Sequence, residues 1–151
     1  MSTVGIVPGM EALRAFPLPV TLAVSLHAPS DALRSEMVPI NQRYPVHAVV
    51  DAARAYAIDK GRRVTFEYAC IDGVNLSAHH ARALADLLRE FPAGAHVNLI
   101  PLNATDGYRR TAGSADVVRE FSAILRERGV GTTIRRNRGR DIAAACGQLR
   151  S

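Results

Sequence analysis

The order of apolar and polar residues divides the chain into short apolar runs and longer amphipathic segments. The short runs, rich in β-branched residues, predict β-strands. They occupy residues 20–26, 63–71, 96–102 and the stretch that begins at Gly131. The longer segments carry apolar residues at three- and four-residue spacing, which predicts helices with one buried face. They occupy residues 10–16, 32–37, 46–58, 78–91 and 114–128. This order predicts a βα unit repeated about four times, with parallel strands and right-handed crossovers.

Two of the predicted strands differ in how their faces are expected to be covered. Residues 20–26 (VTLAVSL) are almost continuously apolar, which is typical of a strand covered on both faces. Residues 63–71 alternate, with Val64, Phe66 and Tyr68 on the apolar side. Ahead of both, residues 3–7 favour extended backbone and contain Gly5, which permits a turn. This first segment therefore indicates the end of a strand that passes into a loop.

Cap residues mark several helix ends. Ser30 or Asp31 is placed to cap the helix at 32–37, and Ser77 to cap the helix at 78–91. Gly61 follows the helix at 46–58, at the position where glycine commonly ends a helix. These signals support the same division into elements.

Length and charge narrow the class of protein. The 151 residues, 48% of them hydrophobic, are predicted to form one globular unit without an internal boundary. No apolar run is long enough to span a membrane, and no leader peptide begins the chain, so we expect a cytoplasmic protein without a membrane partner. The net charge of +5 rests on arginine, with Lys60 as the single lysine. Arginine binds phosphate in bidentate fashion, which favours a phosphate-bearing partner such as RNA.

Polar residues collect where the predicted strands end. The residues at or near these ends are Ser2, Thr3, Ser25, His27, Glu67, Tyr68, Asn103, Arg135 and Arg136. The carboxyl ends of parallel strands meet at one edge of a sheet, where α/β proteins place their active sites. Each residue also has a structural interpretation: His27 can bond to backbone, and Glu67 can pair with an arginine. Asn98, inside a strand, can be a satisfied core amide.

The two cysteines lead to different predictions. Cys146 follows six arginines between residues 126 and 140, surroundings that favour a thiolate nucleophile, although a packed cysteine after a solvated basic loop remains the alternative. Cys70 lies within a predicted strand and is expected to be a core residue. Neither has a partner at metal-ligand spacing, so no metal site is predicted in the chain itself.

Six motifs follow one another in the order and spacing of the carboxyl-terminal half of RlmN-type radical-SAM enzymes. They are STVGIVPG, SLHAP, VPIN, EYACIDGVN, NLIPLN and RGRDIAAACGQL. The resemblance covers essentially the whole chain. It implies an α/β fold, a partial (β/α) barrel of radical-SAM type with about four parallel strands, helices outside and the amino-terminal strands missing. Residues 1–151 would then be the carboxyl-terminal part of a radical-SAM core domain, a single incomplete domain.

The resemblance also implies an activity and its residues. RlmN-type enzymes are dual-specificity methyltransferases that modify C2 of an adenine in 23S rRNA and in certain tRNAs. Cys146 matches the cysteine that accepts a methyl group from one S-adenosylmethionine, while a second is cleaved at a 4Fe-4S cluster. The positions that match the S-adenosylmethionine site are Ser2, Ser25, Leu26, His27 and Asn103.

The chain departs from the family pattern because the cluster-binding CxxxCxxC is absent from it. We therefore expect it to be inactive alone and to act only with its amino-terminal half, which a separate polypeptide could supply. The chain would then be the product of a truncated reading frame, of a split gene, or a relic. An exposed apolar edge near Ser2 is then expected. The alternatives are a Cfr-like methyltransferase fragment that acts on adenine C8, and an Arg-rich RNA-binding fragment without catalysis.

Overall fold

A computed structural model describes residues 1–91, 94–102 and 114–135, which contain a single five-stranded parallel sheet in the order β1-β2-β3-β4-β5. The strands are β1 (Ser2–Thr3), β2 (Ala23–Ser25), β3 (Val64–Cys70), β4 (Ala95–Pro101) and β5 (Gly131–Ile134). The helices are α1 (Val7–Ala15), α2 (Asp31–Met37), α3 (Val46–Lys60), α4 (Ala78–Leu88) and α5 (Ala115–Glu127), with a 3-10 helix at Pro39–Gln42. None of these helices is long and apolar enough to cross a bilayer.

The sheet has one covered face and one open face. On the covered face Val24, Phe66 and Leu99 are fully buried in a core that includes the buried residues of the helices. Alternate residues point to the opposite side, as the two-residue period of a strand requires. These residues are mostly only partly buried, and we call this side the open face. It consists of Ala23, Ser25, Thr65, Glu67, Ala69, His96, Asn98, Ile100, Gly131 and Thr133.

The prediction for residues 20–26 is partly wrong. The strand is short, Ala23–Ser25, and only one of its faces is fully covered: Val24 is buried while Ala23 and Ser25 are partly exposed. In the described part of the chain the helices cover the side of Val24, so an apolar run did not mean two covered faces. The alternation predicted for residues 63–71 is confirmed in β3.

Two of the predicted caps are confirmed and one is wrong. The Ser77 side chain accepts a hydrogen bond from the backbone N–H of His80, and Gly61 ends α3 in the left-handed conformation. At α2 the N-cap residue is Ser30, but its side chain makes no capping bond. Asp31 instead accepts from the backbone N–H of Val46, at 2.7 Å. The Asp31 carboxylate therefore binds the first residue of α3 instead of capping α2.

The edge of the sheet at β1 exposes apolar side chains, as expected from the sequence. Met1 is 71% exposed, Val4 43% and Ile6 45%. In the described part of the chain β1 pairs only with β2, so its other side carries no strand. Unpaired edges with apolar side chains are sites at which further chain can add.

A buried arginine joins the carboxyl ends of β1 and β2. Arg34 has no exposed surface, and its guanidinium donates to five groups. Nε donates to the Leu26 carbonyl at 3.0 Å, and Nη2 donates to the carbonyls of Val4 at 2.7 Å and Ser25 at 3.1 Å. Nη1 donates to Oδ1 of Asn41 at 2.9 Å and to the Tyr44 carbonyl at 3.4 Å. Burial lowers the pKa of this guanidinium, and the nearby charge of Asp31 opposes that change.

Gly5 lets the chain pass close to this arginine. Its φ of +95° lies in the left-handed region, and a Cβ at this position would be 2.7 Å from Cγ2 of Val49 and 3.2 Å from Nη2 of Arg34. A larger residue would be strained in backbone and would collide with α3. The turn expected at Gly5 thus has a packing reason as well as a conformational one.

We predict that Arg34→Ala lowers the free energy of unfolding by about 3 kcal/mol or more, because it leaves several buried oxygens without a donor. Arg34→Lys should also be destabilising, since one ammonium cannot reproduce the planar fork. Urea unfolding followed by circular dichroism measures both effects. Arg62→Ala, at an exposed position, is the control and should change stability by less than about 0.5 kcal/mol. Equal stability of Arg34→Ala and Arg62→Ala would contradict the role given to Arg34.

Candidate functional site

Four polar side chains form a row across the open face. The register pairs Ser25 with Glu67, Glu67 with Asn98, and Asn98 with Thr133. Neighbouring strands lie about 4.8 Å apart, so the row is about 14 Å long, comparable to a nucleoside with a short side chain. We call Ser25, Glu67, Asn98 and Thr133 the polar row. It supplies hydroxyl, carboxylate and amide groups on one surface.

The centre of the polar row is a hydrogen-bonded pair. Nδ2 of Asn98 donates to Oε2 of Glu67 at 3.0 Å, and both residues are partly exposed. Asn98 is therefore not a fully buried core amide. Within residues 1–91, 94–102 and 114–135, Glu67 forms no salt bridge with an arginine. The Asn98 amide thus binds one oxygen of a partly exposed carboxylate.

His27 follows β2 in an unusual conformation. Its φ is 62°, in the left-handed region that non-glycine residues seldom adopt. Nδ1 accepts a hydrogen bond from the backbone N–H of Ala69 at 3.0 Å, so the proton of the neutral ring is on Nε2. Burial, together with the smaller effect of the nearby Arg34 guanidinium, lowers the pKa of His27 to about 4. His27 is thus a neutral ring with one donor nitrogen at physiological pH.

Asn75 is a site residue that the sequence analysis missed. Its fully buried amide Nδ2 donates to the carbonyls of His27 at 2.9 Å and Ala69 at 2.6 Å, and Oδ1 accepts from the N–H of Ile71 at 2.9 Å. The hydroxyl of Tyr68 donates to the Asn75 carbonyl at 2.7 Å. These bonds fasten the loop after β3 to the end of β2. Its place in the motif EYACIDGVN, directly after a strand, was the available signal.

Two residues of β3 belong to the core. Tyr68 was expected in the polar rim but is fully buried on the covered face, where burial raises the pKa of its hydroxyl. That expectation is wrong because Tyr68 has the opposite parity to Glu67 along the strand. Cys70 is fully buried as predicted, and burial raises the pKa of its thiol to about 12. A thiol with this pKa is unreactive at neutral pH.

The residues predicted to bind S-adenosylmethionine lie in different environments. Ser2 is exposed on β1, in register with Ala23, while Ser25 is partly exposed in the polar row. The Leu26 side chain is fully buried in the core, so a ligand has access at most to its backbone. That backbone is already engaged, because its N–H donates to the Glu67 carbonyl at 3.0 Å and its carbonyl accepts from Arg34.

Three further predicted residues, Asn103, Arg136 and Cys146, lie outside the described residues. Arg135, the last described residue, is exposed and donates its backbone N–H to the Leu99 carbonyl at 2.8 Å. Among the residues that the structure describes, no group of three His, Cys, Asp or Glu side chains is placed to hold a metal ion.

Curated relatives match nearly the whole chain. It is 59% identical over 151 residues to a probable dual-specificity RNA methyltransferase RlmN from Frankia alni, a match that covers 99% of this chain and 35% of the relative. It is 54% identical to the protein of the same description from Thermobifida fusca, covering 99% of this chain and 40% of the relative. The chain therefore spans about two fifths or less of these relatives. A comparison with protein-family models finds no match.

Solved structures show the same fold. A radical SAM methyltransferase from Sphaerobacter thermophilus is 52% identical and superposes with a TM-score of 0.91, covering 97% of this chain and 42% of that one. A domain of a pyruvate-formate lyase-activating enzyme from Bacteroides vulgatus is 16% identical with a TM-score of 0.68, which shows the fold alone.

The five-stranded parallel sheet with its open polar face is thus a partial barrel of the radical SAM type, as predicted, with five strands where about four were expected. The chain matches a segment of proteins described as dual-specificity RNA methyltransferases RlmN, and the resemblance inferred from its motifs is confirmed.

We predict that His27 makes stability depend on pH between 6.5 and about 4. Its pKa is lower in the folded state than in the unfolded state, so the unfolded state binds more protons in this window and stability falls as pH falls. The loss attributable to His27 should be on the order of 2 kcal/mol. In His27→Asn, which tolerates the left-handed conformation and keeps an acceptor, this part of the loss should vanish. Urea unfolding of both proteins across the window measures it, and curves of equal slope would contradict the buried neutral ring.

Proposed function

We propose that this chain supplies part of the cofactor site and the methyl-accepting cysteine of an RNA methyltransferase that modifies adenine C2. The observation that carries the proposal is the row of partly exposed polar groups on the open face, which includes Ser25, with His27 two residues further along the chain; both residues are predicted to bind S-adenosylmethionine. The names of the relatives support the substrate class, since they are described as dual-specificity RNA methyltransferases.

The polar groups at this end of the sheet suit S-adenosylmethionine, which supplies the methyl group when bound. Ser25 offers a hydroxyl, and His27 offers the donor Nε2. Leu26 contributes by fixing the turn between Ser25 and His27 rather than by side-chain contact. Ser2 and Asn103 complete the proposed set by resemblance.

The residues present do not suit a 4Fe-4S cluster. The chain contains two cysteines, one of them in the core, and such clusters are bound by several thiolates. In this proposal the cluster ligands come from the part of the longer relatives that the chain does not match. That part is then required for activity, whether it lies on the same polypeptide or on a separate one, and the exposed apolar residues Met1, Val4 and Ile6 offer it a surface.

Cys146 is the proposed methyl acceptor, by its match to the family cysteine. Arginines precede it closely, and a cationic approach lowers a thiol pKa toward the reactive thiolate. The same positive charge suits 23S rRNA and tRNA as partners, because neutralised phosphates release counterions. Because these RNAs are found in the cytoplasm of a bacterium, we expect the protein to act there.

The test is anaerobic reconstitution of the chain with the non-overlapping part of the Thermobifida fusca relative and an iron-sulfur source. We expect 2-methyladenosine in 23S rRNA or tRNA from a methylation-deficient strain, detected by mass spectrometry of nucleosides. Cys146→Ala should abolish the product, because the other cysteine of the sequence, Cys70, has a fully buried thiol. Cys70→Ala, which changes a buried thiol, is the matched control and should retain the product.

Each other outcome has a defined meaning. The product 8-methyladenosine would replace the C2 assignment by C8. No product, while the intact relative is active under the same conditions, would contradict the proposal. Full activity of Cys146→Ala would remove that sulfur from the reaction. RNA affinity that falls steeply with salt and is unchanged in Cys146→Ala, without product, would favour an RNA-binding fragment.

A further inference from the structure

We propose that Glu67, oriented by Asn98, is a binding residue for S-adenosylmethionine and accepts hydrogen bonds from its ribose hydroxyls or its ammonium group. This inference rests on the proposed function and adds a residue pair to the site. It is carried by the place of Glu67 in the polar row and by the state of its carboxylate.

The position of Glu67 is the first argument. Its register partner on β2 is Ser25 and its partner on β4 is Asn98, so it lies at the centre of the polar row. The backbone carbonyl of Glu67 accepts from the N–H of Leu26 at 3.0 Å and more weakly from that of His27 at 3.4 Å. The strand segment that carries Glu67 is therefore attached directly to the two residues that follow β2.

The state of the carboxylate is the second argument. A partly buried carboxylate has about four acceptor positions and loses free energy if they remain unfilled. In the described part of the chain one hydrogen bond reaches it, from Asn98 to Oε2. The neighbours of Glu67 on the open face, Ser25, Thr65 and Ala69, carry no charge. The carboxylate is thus held in place by a neutral donor and left able to accept from a ligand.

The chemistry of the ligand matches this acceptor. S-adenosylmethionine carries a ribose cis-diol, an ammonium and a sulfonium, so it offers hydrogen-bond donors and positive charge together. A carboxylate accepts from both kinds of donor, and its bonds to charged donors are stronger than neutral ones. Asn98 acts through Glu67 and is a positioning residue: its amide binds Oε2 and restrains the carboxylate.

The experiment is calorimetric titration of the chain and its variants, each reconstituted with the non-overlapping part of the Thermobifida fusca relative, with three probes: S-adenosylmethionine, 5′-methylthioadenosine and methionine. Methylthioadenosine has the ribose without the ammonium, and methionine the reverse. Glu67→Gln keeps size and hydrogen bonding to Asn98 but removes the charge, so we expect its dissociation constant for S-adenosylmethionine to rise about tenfold or more. Glu11→Gln, on the exposed side of α1, is the matched control and should stay within about twofold.

The two probes locate the contact. A loss for S-adenosylmethionine and methylthioadenosine assigns Glu67 to the ribose, whereas a loss for S-adenosylmethionine and methionine assigns it to the ammonium. Both support the inference. Asn98→Ala should weaken binding in the wild-type background and have little further effect in Glu67→Gln, as coupling through one group requires. A purely structural role of Asn98 would instead lower the melting temperature equally in both backgrounds.

The failures are distinguishable. Binding of S-adenosylmethionine by the wild-type chain that Glu67→Gln leaves unchanged would overturn this inference and leave the proposed function standing. No binding by the wild-type chain would count against the cofactor site of the proposed function itself. Additive effects of Asn98→Ala and Glu67→Gln would overturn the positioning role of Asn98.

Discussion

The hydrogen bonds of one buried guanidinium determine how the chain arranges the end of its sheet. Arg34 has no exposed surface and donates to carbonyls of Val4, Ser25 and Leu26, which belong to two neighbouring strand ends. A buried cation without full hydrogen bonding would cost several kcal/mol, so these carbonyls are held in one arrangement. The close passage at Gly5 and the turn after β2 both follow from this constraint.

Asn75 applies a second constraint on the other side of the same turn. Its amide binds the carbonyls of His27 and Ala69, so the ends of β2 and β3 are joined by a side chain rather than by further strand pairing. Together Arg34 and Asn75 bind backbone groups near the carboxyl ends of β1, β2 and β3. The open-face side chains of β2 and β3 are thus carried on a backbone that is held in place by these bonds. Preorganisation of this kind reduces the entropy lost on binding.

Local patterns predicted the helices and the parity of β3, because the spacing of apolar residues records which side faces a core. They failed where the result depends on residues distant in sequence. The apolar run at 20–26 was expected to be covered twice, but coverage depends on which elements pack nearby. Arg34 was missed because arginine is usually exposed, and its burial needs acceptors up to 30 residues away. The hydrogen bond between Glu67 and Asn98 was likewise not predicted. It depends on the register of β3 and β4, which brings together residues 31 positions apart, and no local pattern encodes that register.

The central claim is that the open face of this sheet is the cofactor-binding surface of the chain. Its most direct test is nuclear magnetic resonance of the isotopically labelled chain during titration with S-adenosylmethionine. The account predicts that the largest chemical-shift changes fall on Ser25, His27, Glu67 and Asn98, with little change on the outward faces of α3 and α4. Saturable changes confined to the helices, with these four residues unaffected, would contradict it.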